Sequence, residues 1–523
     1  MPTALRLLLL AAVFAVLLYA QLRLTPYAAD DAYIHLRIVE NFLNTGRPYF
    51  NPPEAVLATS SSPWTLLLAL LFSLTGVSLK FVALICTLCT FCATLLWVRL
   101  IRRVLPSLSL ISEGTAFLVI LAALAPSSFQ LMEAPLALLL LALGLLLYES
   151  KRTAAFLFLA LAACTRLEFT LFFLLFLVVA LYQRRLRLLP SLLFSAAGAL
   201  PCLAFLWHYF GTLLPNTISA KSAVYQLKTG DFIQILGRAY INEFSPETTR
   251  LLLPALALLI MFFCGSVVLQ VRELNFKNIF ESYGTLFLTA LAGLGIFMTY
   301  LVKHVFLFPW YLPLFVVPLL SLLLAAFAKQ RSWPLGGLLL AASAVLVFNL
   351  ARDCSSAFHN AENFSGFAAG ARVRKYLELG RSLRELFPGS RIMAAEIGAL
   401  GFGFKGPILD GCGLVSPGAL VFHPLKIGPE RSSGLLGAIP GRYAEQLRPE
   451  LVVGLAMFME SFERSAVVGE YLLFKQERFL GDDLERARNI SIWGSYALSV
   501  YVRKDLCTQS GGRGCSALAE ITS

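Results

Sequence analysis

Charge is the scarcest ingredient of this chain: only 14% of its 523 residues are Asp, Glu, Lys or Arg, and five are histidine. Hydrophobic residues make up 58%, and the mean hydropathy is +0.74. Soluble domains carry about a quarter of their residues charged, so a soluble fold is excluded and a polytopic membrane protein is implied. No internal repeat is evident, and no low-complexity tract precedes the tail. Histidine and carboxylates are also missing around Cys86, Cys89 and Cys92, whose spacing would otherwise suggest a metal. Inside the unbroken apolar run 81–98 these thiols read as small membrane-embedded side chains. The shortage of acids leaves a formal net charge of +12, yet the surplus lies in short clusters between hydrophobic runs. There it signals topology rather than nucleic-acid binding.

A helix needs about 20 apolar residues to cross a bilayer. Basic clusters stand at Arg99/Arg102/Arg103, Lys151/Arg152, Arg184/Arg185/Arg187, Arg272/Lys277 and Lys329/Arg331. Placing all of them in the cytoplasm gives eleven spans, near 4–21, 79–101, 115–132, 134–149, 153–165, 168–183, 189–210, 250–272, 282–302, 309–328 and 333–351. The amino terminus is then cytoplasmic. The first run could be a signal peptide with Arg6 as its charged end, but the many later spans favour a retained anchor.

The expected architecture is a polytopic α-helical membrane domain, 1–351, followed by an extracytoplasmic soluble α/β domain, 352–523. The first outer loop, 22–78, carries two juxtamembrane helices. One covers 31–43, with Ile34, Ile38, Val39, Phe42 and Leu43 on one stripe and Asn44-Thr45-Gly46 ending it. The other covers 64–74, with Ser62 as cap and Pro63 at its first position. In the second domain, 367–387 suits an amphipathic helix, and 391–395, 472–475 and 495–502 suit strands. Gly401-Phe402-Gly403 and Asp410-Gly411-Cys412-Gly413 read as turns. Cys507 and Cys515 flank a Gly-rich turn and suit a disulfide outside the cytoplasm.

Asp30 and Asp31 follow the first span directly. Acids at a membrane surface are costly unless solvated, paired or used. One Asp could cap the helix that follows, but a cap does not account for two. The alternative is a general base with a neighbour that supports or orients it. By the same parity Glu133, Arg166, Glu168, His208, Lys221, Lys303 and His304 emerge on that face. Taken singly each reads as a loop or snorkelling residue, and Arg166 with Glu168 reads equally as a structural ion pair. Together they offer cations for a phosphate and a carboxylate for a proton, ringed by helices that suit a lipid tail.

These residues carry a resemblance. Asp30-Asp31-Ala32-Tyr33-Ile34, Asn41-Phe42, Gly46, Phe50-Asn51-Pro52 and the run from Thr59-Ser60-Ser61-Ser62-Pro63-Trp64 to Leu67 resemble the first outer loop of the GT-C membrane glycosyltransferases. The look is nearest to cell-wall and pilin arabinofuranosyltransferases. Met132-Glu133-Ala134, Thr165-Arg166-Leu167-Glu168, Tyr209-Phe210-Gly211, Pro215-Asn216-Thr217, Ala220-Lys221, Trp310-Tyr311, Glu396-Ile397-Gly398, Asp410-Gly411 and Gly413-Leu414 extend it. Leu167 and Ala134 depart from the family's usual Pro and Thr.

The resemblance implies a polyprenyl-phosphate sugar donor, an extracytoplasmic glycan, lipid or protein acceptor, an inverting transfer and a catalytic Asp in the first loop, here Asp30 or Asp31. A bacterial inner membrane fits it, although Asn363-Phe364-Ser365 and Asn489-Ile490-Ser491 match a glycosylation pattern. No cofactor or metal ligand set is identified, and a divalent-metal requirement is left open. Two other classes compete: a flippase of lipid-linked sugars, which should hold its charges near the bilayer midplane, and an assembly factor, which needs no acid pair.

Overall fold

The computed structural model describes residues 3–106, 110–183, 187–224, 276–303, 307–330, 333–425, 439–476, 497–509 and 513–522. The expected span 250–272 and the residues His304, Arg184, Arg185, Arg272, Arg331 and Asn489-Ile490-Ser491 lie outside them.

Helices form where the apolar runs put them. The first is α1 (Thr3–Leu24), followed by α2 (Asp30–Thr45), which ends at left-handed Gly46, and α3 (Ser62–Thr75). Then come α4 (Leu79–Val104), α5 (Leu110–Phe129), α6 (Ala134–Glu149), α7 (Ala155–Thr165) and α8 (Thr170–Tyr182). The helical part closes with α9 (Leu188–Phe210), α10 (Asn216–Val224), α11 (Phe276–Val302), α12 (Pro313–Gln330) and α13 (Trp333–Phe358).

Among the described residues, five helices are long and apolar enough to cross a membrane: those at 4–27, 79–104, 112–129, 188–210 and 284–302. The expectation of eleven crossings is therefore met in part. At 1.5 Å per residue, α7 with its eleven residues is about 16 Å long, half a hydrocarbon core. It packs against α6 and α9 with Ala155, Phe156, Leu159 and Ala162 buried. Its apolar composition serves protein contacts as much as lipid. The start of α3 also differs from expectation: Ser61 is the cap residue, without a side-chain cap bond, and Ser62 is already helical.

Beyond α13 the chain forms α14 (Phe367–Leu386), α15 (Gly398–Phe404) and a five-stranded sheet. Its strands are β1 (Ile392–Ala394), β2 (Ile408–Asp410), β3 (Leu451–Leu455), β4 (Tyr471–Gln476) and β5 (Leu498–Arg503). Their order is β2-β1-β3-β5-β4, with β1 parallel to both neighbours and β5 antiparallel to β3 and β4.

Both faces of the sheet are covered at β1, β3 and β5. Ile392, Ala394, Val453 and Val500 join the buried core that continues into the membrane helices, while Met393, Val452 and Tyr501 join a second cluster with Phe462 and Tyr443. Burial on both faces removes the alternation that marks a half-exposed strand, and so β3, the run Leu-Val-Val-Gly-Leu, was not among the expected strands. Nor is Gly401-Phe402-Gly403 a turn: it lies inside α15. A Cβ on Gly403 would stand 2.5 Å from the Leu377 carbonyl oxygen, and one on Gly380 would stand 2.4 Å from that of Leu400. These glycines let α14 and α15 cross at backbone contact. Cys507 and Cys515 form a disulfide.

Candidate active site

The first loop is where the sheet region meets the membrane helices. Arg37 on α2 is 3% exposed and donates to the carbonyl oxygens of Phe50 (2.8 Å), Gly401 (2.6 Å) and Gly406 (2.6 Å) and to Asn51 Oδ1 (3.2 Å). Asn51 extends the edge of β2, donating to the Ile408 carbonyl (2.6 Å) and accepting from the Ile408 amide (3.1 Å). The Asn216 amide donates to the Gly413 and Leu414 carbonyls at 2.6 and 2.8 Å. These bonds fix the 410–416 turn over α10, and Leu414 reaches the cleft described below.

The two acids part company here. Residues adjacent on a helix point about 100° apart, so Asp30 and Asp31 cannot share one partner. Asp30 does not cap its own helix; Ala29 holds that position. Its carboxylate instead accepts from the backbone amides of Gly398 (2.9 Å) and Ala399 (2.8 Å), the first residues of α15. A Cβ at position 398 would lie 2.0 Å from the Asp30 carbonyl oxygen, so glycine permits this approach.

Burial, then nearby Glu396, push the Asp30 carboxyl up to about 7 against the pull of the two amides. Glu396, paired with Arg372 at 2.9 Å, is itself raised by burial. Between about pH 4 and 7 the folded protein thus holds a proton on Asp30 that the unfolded chain has released, and stability falls as pH rises through that window. Thermal unfolding of purified protein across this range should show that slope, and Asp30→Asn should make it shallower; an unchanged slope would place the proton elsewhere.

Asp31 turns the other way, into a cleft shared with His35, Glu133, Arg166, Thr217, Lys221 and Tyr311. Lys221 stands 3.8 Å from Asp31 Oδ2, donates to the Tyr311 hydroxyl (2.6 Å) and lies 4.9 Å from the centre of the Phe308 ring. Arg166, 4% exposed, donates to Glu133 (2.6 Å) and Glu168 (2.8 Å) and stacks 4.5 Å from the Tyr311 ring centre. Glu168 in turn accepts from the Tyr300 hydroxyl. Burial opposes charge on Glu133, but Arg166 and His35 outweigh it and hold the carboxyl below its ordinary value. Burial keeps His35 below its usual value against the pull of Glu133, and its Nε2 stands 3.8 Å from Glu133 Oε2. The buried polar atoms Glu133 Oε2, Thr217 Oγ1 and Trp310 Nε1 have no hydrogen-bond partner among the described residues, although all three residues line the cleft.

Of the residues singled out in the sequence, the fold brings Asp31, Glu133, Arg166, Glu168 and Lys221 together. It does not bring His208, which is exposed near the end of α9 against Tyr209, nor Lys303, exposed just past α11. His35, not among the sequence candidates, sits four positions after Asp31, on the same helical face, and that spacing is the signal for it. Tyr300 carried no signal, being one aromatic within an apolar run.

The chain matches no protein-family profile and no curated protein sequence. It is similar to two solved structures of ArnT from Cupriavidus metallidurans. The structure bound to undecaprenyl phosphate is 13% identical, with a TM-score of 0.50 over 97% of this chain and 99% of that one. The apo structure is also 13% identical, with a TM-score of 0.53 over 96% and 98%. At this identity the likeness is one of fold, and it runs along nearly the whole length of both proteins.

Proposed function

We propose that this chain is a GT-C glycosyltransferase of the bacterial inner membrane that moves a sugar from a polyprenyl phosphate to an acceptor outside the cytoplasm. The observation that carries this reading is the partly exposed Asp31 carboxylate facing Lys221 and the Arg166 network across one cleft. The neighbour that shares the fold binds undecaprenyl phosphate, which supports a lipid-phosphate donor. Asp31 takes the proton of an acceptor hydroxyl as its oxygen attacks the anomeric carbon. The bond from that carbon to the phosphate oxygen breaks, and its electron pair leaves on the phosphate. Lys221 donates to that phosphate, and Arg166, held by Glu133 and Glu168, stacks on the Tyr311 ring whose hydroxyl positions Lys221. One displacement inverts the anomeric centre.

Asp30, despite a carboxyl poised near neutrality, acts as an anchor, because both its oxygens are engaged by α15. The sheet region, 352–523, contributes to acceptor binding through the 410–416 turn. Arabinofuranose, or another pentose or hexose, is the sugar transferred.

Purified protein incubated with a panel of polyprenyl-phosphate pentoses and hexoses should release polyprenyl phosphate with one of them; transport without bond cleavage would point to a flippase instead. Lys221→Gln should lower kcat/KM for the donor by about tenfold to a hundredfold, the worth of a hydrogen bond to a charged group. A variant with unchanged kinetics would remove Lys221 from the phosphate site.

A further inference from the structure

A second cavity opens at the other end of the helical bundle, between α1, α4 and α5, with a volume of about 850 Å³. Arg6 at its rim stands eighteen residues before Leu24 on α1, about 27 Å from the acid-pair end at 1.5 Å per residue. The walls are apolar, formed by Leu10, Val13, Leu95 and Phe117 among others. Its rim is not: Arg6, Arg99, Arg102 and Arg103 meet there with one acid, Glu113.

Glu113 pairs with Arg6 at 2.5 Å and with Arg102 at 3.7 Å, tying the ends of the three helices together. Arg103 turns toward α6, donating to Ser150 Oγ at 2.7 Å. Arg99 is exposed and has no hydrogen bond or ion pair among the described residues. Four guanidinium groups against one carboxylate leave a surplus of positive charge at the mouth of a greasy slot. Arg6 and Arg102 remain 42% and 53% exposed even while paired, so each has donors to spare.

We propose that this cavity binds an anionic membrane phospholipid, with the phosphodiester on Arg99 and Arg102 and an acyl chain along the wall of Leu10, Val13, Leu95 and Phe117. A soluble anion would use the arginines but not the apolar slot, and a neutral lipid would use the slot but leave the arginines unanswered. A headgroup phosphate satisfies both, and basic pockets between membrane helices bind anionic lipid in this way. The site is separate from the cleft around Asp31 and does not depend on the reaction assigned to it.

The test uses the full chain in detergent, stripped of lipid, with phosphatidylglycerol and phosphatidylcholine of identical acyl chains, and counts bound lipids by native mass spectrometry. One phosphatidylglycerol should bind in preference to phosphatidylcholine. Arg99→Gln, which breaks no hydrogen bond or ion pair among the described residues, should weaken that preference about fivefold, and Arg99→Gln with Arg102→Gln should weaken it further, at about fivefold per arginine. Lys221→Gln, at the opposite end, should leave it unchanged. Equal retention of the two lipids would overturn the proposal. So would a preference that survives the double variant, a preference lost in Lys221→Gln, or displacement of phosphatidylglycerol by equimolar undecaprenyl phosphate.

Discussion

Asp31→Asn should abolish measurable sugar transfer, lowering it by about 10²–10⁴-fold, the usual contribution of a general base, while leaving the fold intact. The side chain keeps its shape, is partly exposed and holds only a 3.8 Å contact with Lys221, so little stability depends on its charge. Donor binding should survive, because Lys221 opposite remains. Asp30→Asn makes the contrast. That carboxylate binds the first two amides of α15 and does not line the cleft. Its loss should loosen the sheet region and change the pH dependence of unfolding, with a smaller drop in turnover. Release of polyprenyl phosphate and thermal unfolding measured on both variants separate the roles. If Asp30→Asn kills turnover in a folded protein and Asp31→Asn does not, the assignment is reversed.

Arg37→Ala should be the most destabilising single change near the site, by about 3–5 kcal/mol. The guanidinium is buried and binds three carbonyl oxygens and one amide oxygen drawn from the first loop, from the middle of α15 and from the residues just after it. Removing it leaves the Gly406 carbonyl without its donor and takes one of two donors from Phe50, Gly401 and Asn51 Oδ1, and hydrogen bonds to a charged group are worth about 1.5–3 kcal/mol each. Arg37→Lys should rescue little, since one ammonium cannot reproduce the planar fork that reaches both the Phe50 and Gly406 sides. The checks are the unfolding midpoint and protease cleavage after residue 352. An Arg37→Ala protein as stable and as resistant as the parent would mean that the sheet region is held by its apolar contacts alone.

The acid pair, the helix that follows it and the outliers Glu133, Arg166, Glu168 and Lys221 were visible in the sequence because polar residues stand out against an apolar background. Their grouping was legible too, since span parity put them on one face. The roles within the group were not. Which Asp enters the cleft is decided by α15, whose amides lie 368 and 369 residues further along the chain, and no local pattern reports a contact of that range. The same cause hid the nature of α15: its glycines look like turn residues, yet they serve backbone-to-backbone packing with α14. His208 and Lys303 share the sequence signature of Lys221 but stay exposed, because where a helix end faces depends on its neighbours.

By itself the sequence determined what its composition and periodicity control: a chain that partitions into a bilayer, where the helices run, and which few charges stand at their ends. Those properties follow from transfer free energies that each segment meets alone. The tertiary structure alone decided that Asp31 faces Lys221, that Asp30 anchors α15 and that Arg37 joins the two halves of the protein. Such pairings are set by side chains from distant segments competing for the same buried partners, and that competition exists only once the segments have packed.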